Sequence, residues 1–307
     1  MKILLLGKNG QVGWELQRAL APLGEVSACG RSEADLDDLD RLSRLVRSIG
    51  PDVIVNAAAY TAVDRAEAEP ALAMRINAEA VEVLAAEATR SGALLVHYST
   101  DYVFDGRKNG CYVEADAPAP LNVYGATKLA GEQAVTASGC RHLIFRTSWV
   151  FAARGANFAH TVLRLGKDRA ELPVVADQTG APTSAELIAD VTALALYRLT
   201  QDGRAKQATA APEPRAGIYH LAASGVVSWH GYAQWVVGEA LRLGAVLKLT
   251  PDKIRAITSA EYPTPAARPH NSTLDTGKLC SAFGIVMPPW ELHVKRMLQE
   301  KIVEAVK

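Results

Sequence analysis

Through its first half the chain alternates short apolar runs with longer helical patterns. Residues 3–6, 26–29, 53–56, 93–98 and 142–147 read as strands. Residues 11–21, 39–49, 70–90 and 122–137 read as the helices between them. Strands without a polar face must be covered on both sides, and parallel strands need helical crossovers. The pattern predicts an α/β chain built on a Rossmann-like, doubly wound parallel sheet. After Trp149 the rhythm weakens. Residues 172–175 and 218–222 still read as strands, and 185–199, 230–242 and 289–304 as helices. Residues 200–216, with Pro212 and Pro214, read as an exposed connection. The expected organisation is a dinucleotide-binding domain over residues 1–150, to which 183–225 return, and a smaller C-terminal α/β substrate domain from 151–182 and 226–307.

A length of 307 residues, 49% of them hydrophobic, suffices for a large core. Lysine plus arginine and aspartate plus glutamate each number 33, which removes the basic surplus expected of a nucleic-acid partner. Cys29, Cys111, Cys140 and Cys280 lack zinc or disulfide spacing and read as free thiols of a reducing compartment. The opening apolar run is too short for a signal peptide, and no run is long enough to span a bilayer. A cytoplasmic chain without a membrane or nucleic-acid partner is expected.

Gly7-Lys8-Asn9-Gly10-Gln11-Val12-Gly13 lies between the first strand and the first helix. Glycines there let backbone approach a pyrophosphate, and the helix N-terminus faces the anion. The spacing is GxxGxxG rather than GxGxxG, and a tight strand–helix turn would use the same residues. After the second strand the chain reads Cys29-Gly30-Arg31-Ser32. An arginine at that place suits a 2′-phosphate and favours NADPH, while nearby Glu33 and Asp35 leave NADH open. Leu36, Asp37 and Leu39 are further candidates on the adenine side, and Asp37 could equally cap a helix. Asn56-Ala57-Ala58-Ala59-Tyr60-Thr61 follows another strand, where small side chains would admit the nicotinamide ribose.

Tyr124 and Lys128 stand four residues apart on one face of a helix. A free phenol titrates near pH 10, and a neighbouring ammonium would lower that value. The same spacing also describes an ordinary exposed helix pair. Ser99-Thr100-Asp101-Tyr102-Val103-Phe104 comes at the carboxyl end of a strand, where parallel sheets bind ligands. Thr100, with Ser99 as the second choice, is placed to hold a substrate oxygen, although either hydroxyl could merely cap the loop.

Taken together, these segments resemble the extended short-chain dehydrogenase/reductase family. The resemblance runs over nearly the whole chain. It includes Phe145-Arg146-Thr147-Ser148-Trp149-Val150, Asp177-Gln178-Thr179-Gly180-Ala181-Pro182-Thr183 and Arg268-Pro269-His270-Asn271-Ser272. It implies NADPH-dependent reduction of a keto group on a deoxysugar carried by a nucleotide, with Tyr124, Lys128 and Thr100 as the catalytic set. It also implies a sugar site lined by Thr61, Val63, Asp101, Tyr102 and Trp149, with Asp177, Gln178 and Arg268 toward the nucleotide. Arg268 would suit a pyrophosphate or a structural ion pair. Some members form magnesium-bridged homodimers, and Glu15 and Glu186 match their acidic ligands, although both read equally as solvated helix residues. A dehydratase or epimerase of the same superfamily is an alternative, but such dehydratases carry Asp-Glu after the threonine, where this chain has Asp101-Tyr102. A non-catalytic regulatory subunit of this fold, such as that of methionine adenosyltransferase, is the alternative outside enzymes.

Overall fold

Strand β3 (Val53–Asn56) buries all its residues, and β1 (Lys2–Leu6) buries all but its first, so neither has a face for water. In the computed structural model, which describes residues 1–206 and 216–305, they join β2 (Glu25–Cys29), β4 (Leu94–Thr100), β5 (His142–Thr147) and the strand Gly217–His220 in one six-stranded sheet. The spatial order is Gly217–His220, β5, β4, β3, β1, β2, and every pairing is parallel. The winding reverses between β1 and β3. Ligands of such sheets bind beyond the strand ends at that reversal.

The helices in the first half are α1 (Gln11–Leu20), α2 (Leu39–Ile49), α3 (Val63–Ala66), α4 (Pro70–Met74), α5 (Ala80–Ser91) and α6 (Val123–Ala137). They are followed by α7 (Phe158–Asp168), α8 (Ala185–Lys206), α9 (Trp229–Arg242), α10 (Gly277–Phe283) and α11 (Trp290–Ala305). The two-residue period of a strand divides the core. Ile3, Leu5, Val53 and Val55 pack with Leu16 of α1 and Ile188 of α8. Leu4, Leu6 and Ile54 pack with Leu42 of α2 and Leu84 of α5 on the opposite side. A smaller core joins Val162 of α7, Leu172, Val174, Ile254 and Val237 of α9. There the strand Leu172–Val175 pairs in parallel with Ile254–Ile257.

Residues 70–90, expected as one helix, are α4 and α5 joined by a π-helical turn over Arg75–Glu79. The wider turn carries Asn77, whose side chain accepts from Tyr60 N at 2.9 Å and donates to Tyr60 O at 3.0 Å and Thr127 Oγ1 at 3.1 Å. An alanine-rich periodicity cannot reveal such a bulge; the hydrogen bonds that favour it come from the loop after β3 and from α6. Helix α8 runs past the expected 199 to Lys206, and the remainder of the expected connection, 207–215, lies outside the described residues. Helices α7 and α10 and the strand Ile254–Ile257 carried no signal strong enough to be read beforehand. Among the described residues, no helix is long and apolar enough to cross a membrane.

Candidate active site

The loops after β1 and β3 touch at the reversal. Gly7 has φ +86°, and a Cβ on it would stand 2.8 Å from Ala57 C and Ala58 N. A Cβ on Gly13 would stand 2.0 Å from Gly7 O, so α1 lies directly on the loop. Gly10 differs: its Cβ would meet only Gly7 O, at 3.4 Å. Gly10 caps α1 without a side-chain hydrogen bond, and Gln11 Oε1 is buried without a partner. An open glycine cradle at a helix N-terminus, whose first backbone N–H groups are free to donate, fits a dinucleotide pyrophosphate; the Gln11 amide oxygen, an acceptor, would suit a hydroxyl rather than the phosphates. Val12 packs on the core, and Asn9 lies against Gly30.

At the adenosine end the charges are paired. Arg31 is exposed, with Nε 3.2 Å from Asp35 Oδ2. Lys8 Nζ lies 2.7 Å from Glu33 Oε1. The Lys8 ammonium and the Gly30 amide hold the Glu33 carboxyl down at about 2. Leu36 is buried in the core and offers packing there rather than a polar contact. Asp38, not Asp37, caps α2, accepting from Arg41 N at 3.0 Å; Asp37 pairs instead with Arg75 at 2.8 Å. Asp35, Asp37, Leu39 and Arg75 line a cleft of about 450 Å³.

The residues expected to be catalytic gather where β4 ends against α6. Asn122 caps α6, accepting from Gly125 N at 2.8 Å. A Cβ on Gly125 would stand 2.1 Å from Tyr102 O, so the first turn of α6 lies on the turn after β4. The first turn of α6 carries Tyr124, and Thr100, which ends β4, is among the groups acting on its phenol; Thr100 Oγ1 donates to Asp101 Oδ1 at 3.1 Å. Thr100 also caps its turn, accepting from Tyr102 N at 3.2 Å, as the cap reading expected. Ser99 Oγ is buried and unpartnered. Tyr102 meets the Tyr124 ring edge-on at 5.6 Å.

One expectation is overturned. Burial pushes the Tyr124 phenol up to about 12, partly offset by the Thr100 hydrogen bond, rather than Lys128 pulling it down. Lys128 Nζ stands 3.2 Å from His97 Nε2. Burial lowers its ammonium to about 8, against the pull of Glu132. Asp101 is buried and raised to about 6, mainly by desolvation, while Thr100 Oγ1 donates to Oδ1 at 3.1 Å; Oδ2 has no partner.

Trp149, expected to line the sugar site, follows β5. It is the one non-glycine at positive φ (+49°) among the described residues, and it stacks on Trp229 with centroids 3.5 Å apart. A Cβ on Gly180 would press against Trp149, at 2.6 Å. Thr61 is exposed on the loop after β3, and Val63 opens α3. Asp177 and Gln178, expected toward the nucleotide, are engaged elsewhere: Asp177 accepts from Ser259 N at 2.9 Å, and Gln178 Nε2 donates to Ser259 Oγ at 2.9 Å. Arg268 forms the structural pair, with Nη2 2.7 Å from Asp64 Oδ2.

Glu15 and Glu186 do share a cleft, of about 250 Å³, with Arg18, His293, Arg296 and Glu300. Arg18 lies 3.6 Å from Glu15 and Arg296 lies 3.1 Å from Glu186. Among the described residues no three acidic, histidine or cysteine side chains are grouped to hold a metal. The arrangement fits neutralisation by arginine better than a magnesium site.

A family profile described as "RmlD substrate binding domain" matches residues 1–303. The chain belongs to that family. Its sequence is 53% identical over 309 residues to the dTDP-4-dehydrorhamnose reductase of Shigella flexneri, with 98% of each chain covered. It is 51% identical over 294 residues to that of Burkholderia thailandensis, covering 96% of this chain and 97% of the relative. The crystal structure of dTDP-4-dehydrorhamnose reductase from Bacillus anthracis in complex with NADP matches with a TM-score of 0.83 at 33% identity, over 97% of this chain and 99% of that one.

Several residues of this RmlD-family site went unread in the sequence. His97 is hidden inside an apolar strand, and Trp229 is too distant along the chain from Trp149 to suggest a stack. Asn56, read above only as the start of the loop after a strand, is the last residue of β3 and is buried.

Proposed function

We propose that the chain uses NADPH to reduce the C4 keto group of dTDP-4-dehydro-β-L-rhamnose, giving dTDP-L-rhamnose. One observation carries this reading: the first turn of α6, with Tyr124, lies directly on the turn that follows Thr100 at the carboxyl end of β4, in the sheet whose β1 and β3 loops form the glycine crevice. When bound, the dinucleotide supplies the hydride. The chain's residues supply position and the proton. Thr100 holds the carbonyl oxygen. Tyr124 donates its phenolic proton to the alkoxide as it forms. A phenol titrating at about 12 is fully protonated at neutral pH, which is the state that reduction needs. Lys128, one turn further along α6, offsets the phenolate left behind when its amine is charged.

Residues 1–150 with 183–225 would hold the dinucleotide, and the remaining segments would hold the nucleotide sugar. Gly7, Gly10, Gly13 and Gln11 fit the pyrophosphate, and Ala57, Ala58 and Ala59 suit a closely approaching ribose. Trp149, Tyr102, Thr61 and Val63 suit the sugar, and Arg268 suits its diphosphate. Arg31 favours NADPH, and the paired carboxylates Glu33 and Asp35 leave NADH usable. No step here is routed through magnesium. The reading is tested by incubating dTDP-4-dehydro-L-rhamnose with NADPH and the protein and separating the nucleotide sugars. Formation of dTDP-L-rhamnose in step with NADPH loss supports it. A dehydrated or epimerised product without net NADPH loss would overturn it.

A further inference from the structure

His97 sits in the middle of β4 with none of its surface exposed, and both ring nitrogens have polar neighbours. Nε2 is 3.2 Å from Lys128 Nζ, and Nδ1 is 3.3 Å from Asn56 Nδ2. The Asn56 amide is oriented by its other end, because Oδ1 accepts from Ala58 N at 3.2 Å. Its NH₂ group therefore faces Nδ1, which must accept. The ring proton is then on Nε2, directed at the lysine amine. An ammonium has no lone pair to accept it, whereas a neutral amine has one.

We propose that His97, held as its Nε2–H tautomer by Asn56, is a positioning residue for Lys128 and governs when that amine carries charge. Charging Lys128 calls for the ring proton to move from Nε2 to Nδ1. That move sets two donors, Nδ1–H and the Asn56 NH₂, against each other in a buried place. The state of the lysine is thereby linked to the Ala57–Ala58 backbone, the same backbone that touches Gly7 at the crevice. The other groups around this pair do not replace His97. Glu132, next along α6, attracts the ammonium but is held by Arg146 of β5 at 2.6 Å. Thr100 and Asp101 lie at the end of β4, with Thr100 Oγ1 donating to Asp101 Oδ1 at 3.1 Å, and the Tyr124 phenol is uncharged near neutrality. The π-helical turn presents only Asn77, which is neutral and engaged with Tyr60 and Thr127. Burial and the Lys128 charge keep His97 itself from protonating near neutrality.

Long-range proton–nitrogen spectra of the full chain labelled at histidine nitrogen test the tautomer, with His97 assigned by the signal missing in His97→Gln. The expected result is a proton on Nε2 above pH 8, where the amine is neutral, that moves to Nδ1 as the pH falls through about 8; a ring proton that stays on one nitrogen across that range overturns the proposal. The second arm rests on the reductase reading and follows kcat/KM against pH. A glutamine oxygen can face an ammonium, so His97→Gln should move the alkaline limb upward by about one pH unit. Asn56→Asp removes the donor facing Nδ1 and should move it the same way. Limbs unmoved in both folded variants would make His97 a packing residue. The spectra need no turnover, so failure of the reductase reading and failure of this proposal remain distinguishable.

Discussion

Arg268, in the last quarter of the chain, places Nη2 2.7 Å from Oδ2 of Asp64 in α3. The pair draws the C-terminal segment over the loops of the sheet. Nearby, Asn122 Nδ2 donates to Ala267 O at 2.7 Å and fastens the same segment to the start of α6. Both side chains of the pair keep some exposure, so its direct stabilisation is about 0–1 kcal/mol, and its main effect is placement. Arg268→Lys keeps the charge and loses the fork. Its KM for the nucleotide sugar should rise about tenfold with kcat nearly unchanged, as for one lost charge-assisted hydrogen bond. Steady-state kinetics with the sugar varied checks this.

Asp101 gives a pH-dependent stability. Burial raises its carboxyl from the ordinary 3.8 to about 6. The folded chain therefore holds this proton more tightly than the unfolded chain. The stability it contributes is complete below pH 3.8 and is lost as pH rises through 6. Asp101→Asn should be more stable than the parent above pH 6, by up to about 3 kcal/mol, with the gain shrinking toward pH 4. Denaturant titrations at pH 5 and pH 8 would show the difference.

Gly125 is required by the close contact of α6 with the turn after β4. Alanine usually helps a helix, yet here its Cβ would stand 2.1 Å from Tyr102 O. Gly125→Ala should cost about 2 kcal/mol through overpacking. It should also lower kcat, because the displaced turn carries Tyr124. Thermal melts and turnover of the same preparation check both effects.

Arg31 is exposed, and its one ion pair, with Asp35, can open to meet a phosphate. Arg31→Ala should raise KM for NADPH about tenfold and leave KM for NADH nearly unchanged, as for loss of one charged hydrogen bond. Parallel saturation curves with the two cofactors make the comparison.

The sheet was legible because its strands are apolar on both faces, as in residues 3–6 and 53–56, and that pattern has few physical outcomes. Tyr124 and Lys128 were legible because helical spacing alone puts them together. What the lysine touches was not. Its partner His97 comes from another strand, and no local pattern links the two. For the same reason the phenol was expected to become more acidic, when burial makes it less so. Glu15 and Glu186 do come together, but Arg18 and Arg296 come with them, which spacing along the chain could not reveal. Asn77 escaped notice because a single inserted residue leaves an alanine-rich helix looking continuous.

The account depends on Tyr124 as proton donor, and Tyr124→Phe tests it most directly. Phenylalanine keeps the ring against Tyr102 and removes only the hydroxyl. NADPH consumption with dTDP-4-dehydro-L-rhamnose should fall about 10²–10⁴-fold, while NADPH binding, read by fluorescence titration, stays near the parent value. A variant that binds NADPH and still turns over near the parent rate would contradict the account.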